Sequence, residues 1–130
     1  MRTIALAFPA LLFALPAFAE GPIKVYLYDN EIWLSSKSVH PGPVTFEVAN
    51  HSGDSPHELV VIQTDLPDGR LPLAEDRVQE NRLKVLGEAD AVAPGQTRRL
   101  TLNLPAGRYV LICNQPGHYV AGMHTGLAVE

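Results

Sequence analysis

From residue 23 onward the chain consists of short runs in which apolar and polar side chains alternate, the period of a strand with one face in a core. Run 23–28 alternates in this way, and the Asp29-Asn30 turn leads to a neighbour at 31–34. The turn His40-Pro41-Gly42-Pro43 opens a cleaner strand at 44–50, with Val44, Phe46 and Val48 on one face and Thr45, Glu47 and Ala49 on the other. Residues 50–56 are a loop by composition, delivering His57 to the run 57–62, where His57, Leu59 and Val61 share a face. Leu100, Leu102 and Leu104 alternate in 98–104, Tyr109, Leu111 and Cys113 in the next run, and Met123, Thr125, Leu127 and Val129 in the last. The pattern fails over 64–92, which reads as an excursion between strands with a short exposed helix at 72–83 and too little apolar surface for a core of its own. Seven to eight short strands and no long helix predict an all-β, Greek-key β-sandwich.

The first nineteen residues follow a different logic. Arg2, an apolar run over 4–18 and the small-residue pattern Ala17-Phe18-Ala19 are the three parts of a secretory signal peptide. The expected division is a leader at 1–19 and a single domain at 20–130, with an uncleaved anchor as the lesser alternative. Without Arg2 the chain carries nine basic and fourteen acidic residues, a formal charge of −5. That balance argues against nucleic acid and for a basic partner. No later apolar stretch is long enough to span a bilayer, so no membrane insertion is expected after cleavage.

Export changes the meaning of the one cysteine. Cys113 has no internal partner for a disulfide, and a bare thiol in an oxidising compartment invites oxidation. A metal would protect it. His118 follows five residues later and Met123 five after that. A thiolate, an imidazole and a thioether from one short loop are most of a set that suits redox copper, and His57 on its own strand is the candidate second imidazole. Taken singly, Cys113 and Met123 read as core residues and His57 as a structural or surface histidine. Their order, shared inward parity and export signal reverse that reading. His40, His51 and His124 read as surface histidines, and Tyr26, Tyr28, Trp33 and Tyr109 as packing.

Cys113, Gly117, His118, Gly122 and Met123 together resemble the copper loop of the cupredoxins, the small blue-copper proteins, with the spacing of the rusticyanin, auracyanin and sulfocyanin type. The resemblance extends over 44–129 and includes Pro56-His57-Glu58, Ala93-Pro94-Gly95-Gln96 and the turn before Tyr109. It implies the same sandwich, one copper per chain held by His57, Cys113, His118 and axial Met123, and outer hydrogen bonds from Asn50 and Asn114. Pro116, Tyr119, Val120 and Ala121 would form an apolar rim around His118. The implied function is that of a periplasmic, monomeric one-electron carrier and not an enzyme, working with a redox protein such as a c-type cytochrome, oxidase or reductase. The alternative is a copper chaperone that binds the ion and hands it on.

Overall fold

The computed structural model describes residues 9–13 and 21–130, so most of the expected leader, 1–8 and 14–19, lies outside the described residues. Among the described residues no helix is long and apolar enough to cross a membrane. The described residues form eleven strands. One sheet has the order β2-β1-β4-β9, from β1 (Ile23–Leu27), β2 (Ile32–Leu34), β4 (Gly42–Asn50) and β9 (Thr97–Leu104). The second has the order β3-β11-β10-β5-β8, from β3 (Ser38–Val39), β5 (His57–Gln63), β8 (Lys84–Val92), β10 (Gly107–Ile112) and β11 (His124–Val129). β1 runs parallel to β4, β3 runs parallel to β11, and the other pairs within the two sheets are antiparallel.

The inner faces of the two sheets meet in one core. Val25, Phe46, Val48 and Leu104 from the first sheet pack with Leu59, Val61, Leu111 and Leu127 from the second. Alternation in the sequence therefore marks the right face in β4, β10 and β11. The Tyr109 hydroxyl donates to the Pro105 carbonyl at 2.6 Å, fixing the turn into β10. Trp33, expected to pack, is 60 % exposed on the edge strand β2.

Residues 64–92 differ most from expectation. The stretch read as a helix is a hairpin, β6 (Leu73–Ala74) and β7 (Arg77–Val78), followed by a single 3-10 turn at Glu80–Arg82. Its two-residue tip is Glu75-Asp76, with Glu75 at φ 58°. The remainder, Lys84–Val92, is a full strand against β5. Its alternation is hidden by two bulges: Asp90 and Ala91 face Glu58 alone, and Leu86 is extra between the Val61↔Gly87 and Ile62↔Val85 pairs. Each extra residue flips the facing of all that follow. Ala91 takes φ 47° at the first of them.

The excursion also has its own apolar face. Leu71 and Val78 are buried with Val60, Ile62, Val110, Ile112 and Tyr119 in a second cluster, with Leu83 and Val85 at its margin. This cluster lies on the outer face of the second sheet, which is why 59–62 and 109–112 are unbroken apolar runs: both faces of β5 and β10 are covered. Truncating Leu71 to Ala should therefore cost about 3 kcal/mol in urea unfolding, the usual cost of a buried leucine. A loss below about 0.5 kcal/mol, the level of a surface change, would show that the excursion is not part of the cooperative fold.

Candidate metal centre

Three of the four expected ligands sit where β5, β10 and β11 have their ends together. His57 begins β5, Cys113 follows the last residue of β10, and Met123 precedes the first of β11. Because β10 is antiparallel to both neighbours, the start of β5, the end of β10 and the start of β11 coincide. The β10–β11 ladder continues past the strands, the Cys113 N–H donating to the Met123 carbonyl at 3.1 Å. Between them the loop turns back on itself: the Met123 N–H donates to the His118 carbonyl at 3.1 Å and the Ala121 N–H to the Gly117 carbonyl at 3.0 Å. His118 is thereby carried back over Cys113.

The donor atoms converge. His57 Nδ1 and His118 Nδ1 are 3.1 Å apart, and Cys113 Sγ is 3.8 Å from the first and 3.4 Å from the second. The point equidistant from all three lies about 2.0 Å from each, the length of a bond from an imidazole nitrogen to a first-row metal and a little short for sulfur. Cys113 and Met123 are fully buried, His57 is 1 % exposed and His118 is half-buried. Two imidazoles and a thiol fit copper by size and by softness, and the buried thioether of Met123 next to Cys113 in the ladder adds a donor that a hard ion would not use.

Burial favours the neutral forms of two of these donors, His57 and Cys113. Burial, and then the nearby His118, pull the His57 pKa below its usual value. Burial pushes the Cys113 thiol up, opposed by the N–H groups of Glu58 and Gln115; the Glu58 N–H points at Sγ from 3.4 Å. Among the described residues His57 Nε2 has no hydrogen-bond partner; a carboxylate oxygen of the exposed Asp29 lies 3.5 Å away. Glu58 is itself buried, its carboxylate accepting from the Asn114 N–H at 3.2 Å. Burial and then the Asp90 and Glu80 carboxylates raise its pKa to about 7.

Asn50 and Asn114 both hold loops beside the site, while the N–H aimed at the Cys113 sulfur is that of Glu58. Asn50 Nδ2 donates to the Ser55 and Val92 carbonyls, each at 2.8 Å, and Oδ1 accepts from the Ser52 N–H at 2.8 Å, which fixes the loop leading to His57. Asn114 bonds to Val78 and Glu80 in the excursion. Tyr119 departs from expectation. It is only 4 % exposed and belongs to the outer apolar cluster, leaving Pro116, Val120 and Ala121 as the exposed rim. Of the other histidines, His40 Nδ1 lies 2.9 Å from the Glu130 carbonyl, His51 packs its ring against Tyr26 and Tyr28, and His124 Nδ1 lies 2.6 Å from Asp68 Oδ2. The burial of Tyr119 had no signal in the sequence, since its hydroxyl partners Asp68 and Leu71 lie in the excursion.

A two-sheet sandwich with two imidazoles and a thiol gathered at one end defines a small blue-copper protein, a cupredoxin with copper as its cofactor. Residues 29–130 match the family described as copper binding proteins, plastocyanin/azurin family, and the chain belongs to that family. No curated protein sequence matches it. Among solved structures it is similar to reduced auracyanin from Roseiflexus castenholzii, with 21 % identity over 86 % of this chain and 98 % of that one at a TM-score of 0.62. It is also similar to an azurin from Methylomonas sp. strain J (18 % identity, 86 % and 99 % covered, TM-score 0.60) and to rusticyanin from Thiobacillus ferrooxidans (16 %, 86 % and 79 %, 0.59). At these identities the likeness is one of fold.

The two loop glycines do different work, and substitution separates them. Gly117 has φ 77° with open space around a notional Cβ, whereas Gly122 has φ 121° and a Cβ there would lie 2.5 Å from the Asn30 carbonyl oxygen. Gly117→Ala should cost about 1 kcal/mol of stability and Gly122→Ala about 2–4 kcal/mol, because only the second adds a backbone clash to the conformational strain. Equal losses in chemical denaturation would contradict the crowding at Asn30.

Proposed function

We propose that this chain is an exported carrier of single electrons, with copper held by His57, Cys113 and His118 and by Met123 as the weak axial donor. The observation that carries the reading is the convergence of two Nδ1 atoms and one Sγ, 3.1–3.8 Å from one another, in a buried end of a rigid sandwich. Copper bound among these donors supplies a one-electron Cu(II)/Cu(I) couple at a site that fully suits neither oxidation state, so little has to move.

The chain's own contributions follow from position. His57 and Cys113 come from the ends of paired strands, so their separation is set by the sheet. The apolar surround of Leu59, Leu111 and Met123 in the main core keeps water from the sulfur. His118 alone of the four is half-exposed, inside a rim of Pro116, Val120 and Ala121. Small apolar patches of this kind suit brief encounters, and the acidic chain favours a partner with a basic face, such as a c-type cytochrome, an oxidase or a reductase. The leader at 1–19, the single domain at 20–130 and a periplasmic location complete the proposal, in which the protein transfers electrons and transforms no substrate.

Titrating the reduced, metal-free protein with Cu(II) tests this directly. An intense thiolate-to-copper absorption band should saturate at one copper per chain and vanish in Cys113→Ser, and Met123→Leu should keep the band but shift the reduction potential. A colourless or superstoichiometric response from the unaltered protein would overturn the reading. Fast electron self-exchange would then mark a carrier, whereas ready delivery of copper to a metal-free acceptor would mark a chaperone.

A further inference from the structure

The excursion has a role that follows from its hydrogen bonds to the metal loop, given the copper reading above. Asn114, the residue after Cys113, directs every polar atom of its side chain at it. Nδ2 donates to the Val78 carbonyl at 3.0 Å and to Glu80 Oε2 at 2.8 Å, and Oδ1 accepts from the Val78 N–H at 2.8 Å. The side-chain amide thus pairs with the main chain of residue 78 as a neighbouring strand would. Its own carbonyl accepts from Arg77 Nε at 3.0 Å. Further along, the Gly117 N–H donates to the Asp76 carbonyl at 3.1 Å. The buried Tyr119 hydroxyl donates to the Asp68 carbonyl at 2.6 Å and accepts from the Leu71 N–H at 3.0 Å.

These anchors lie on either side of His118. His57 and Cys113 are sealed from solvent, so metal can enter or leave only by displacing half-buried His118 and the loop that carries it. The loop moves only if the bonds to 68–80 break. We propose that segment 68–80 is a clasp on the metal loop, and that Asn114 and Tyr119 are the positioning residues through which it retains copper against transfer to an acceptor. A clasp of this kind slows metal loss without touching the metal. It also explains why the hairpin keeps a non-glycine residue, Glu75, at a positive φ: the tip must bring the Asp76 carbonyl to Gly117.

The test uses the full chain loaded with Cu(I) and an excess of bathocuproine, a Cu(I) chelator, as the acceptor. Tyr119→Phe keeps the ring in its cluster and removes both hydroxyl bonds, and copper loss should accelerate about tenfold at unchanged stoichiometry. Arg77→Ala, on an exposed side chain that cannot unfold the core, should accelerate it about threefold. The comparison is Val39→Ala, which leaves a cavity beside Val129 at the opposite end of β11 from Met123 and should lower the melting temperature while leaving the loss rate within about twofold. Wild-type rates in both clasp variants, or equal acceleration by Val39→Ala, would overturn the clasp.

Amide exchange in the metal-free protein separates this proposal from the copper reading. The Gly117 amide is bonded to Asp76 and not to Tyr119, so its exchange in Tyr119→Phe should rise about tenfold if the clasp opens as a unit. Unchanged exchange would sink the clasp even if copper binds as proposed. Increased exchange in a protein that shows no copper band would uphold the hold of 68–80 on the loop and overturn the copper reading, and with it the retention of copper.

Discussion

The metal centre depends on one main-chain constraint: the hydrogen bond from Cys113 to the Met123 carbonyl, which extends the β10–β11 ladder one step beyond the strands. Strand neighbours are held about 4.8 Å apart by such bonds, so the two sulfur-bearing residues start from fixed positions before any side chain is considered. β5 on the other side of β10 is held in the same way, by pairs from Tyr109↔Gln63 to Ile112↔Val60. His57 is therefore placed by the sheet as well. The loop has only to return His118 over a site whose other members are already set, and its internal bonds from Ala121, Gly122 and Met123 do so.

Placing the site at the end of central strands has a consequence for the rest of the sheet. β5 and β10 present apolar side chains on both faces, and the outer set, Val60, Ile62, Val110 and Ile112, would be open to water on a bare sandwich. Exposed apolar patches of that size are uncommon on a single soluble domain. Leu71, Val78 and Tyr119 cover them. The excursion is thus required by the same unbroken apolar runs that rigidify the metal end of the sheet.

Most of the sandwich and the convergence of His57, Cys113 and His118 are legible in the sequence, because the strands and the step from Cys113 to His118 rest on short-range regularities. Parity in β4, β5, β10 and β11 survives in the structure, and the five-residue steps from Cys113 to His118 to Met123 need no tertiary information to be noticed. β8 was hidden for a definite reason. Its two bulges reverse the facing at Leu86 and again at Asp90-Ala91, so no window of the strand keeps a period of two. The hairpin Leu73–Ala74 and Arg77–Val78 was hidden for another: each arm has two residues, too few for any period, and its turn lacks glycine. The loop position of Tyr119 suggests the rim, while the partners that bury it lie 48 and 51 residues away.

Tyr119 joins the two halves of the structure. It follows His118 directly in the chain, yet its ring is in the outer cluster and its hydroxyl is bound to the excursion. Apolar burial outside the sheet and donor placement at its end therefore act through one side chain. The metal loop could be held by its internal bonds alone, but those are local and share the loop's freedom to move as a body. Bonds from Asn114, Gly117 and Tyr119 to residues 68–80 refer the loop to a segment fixed on the sheet's outer face, so displacement of His118 must disturb packed core and not merely a surface turn. Small displacement of the ligands is what the proposed one-electron site of mixed soft and nitrogen donors would require, and under that proposal the bonds from 68–80 would supply the stiffness from the stretch whose sequence pattern least resembles a strand.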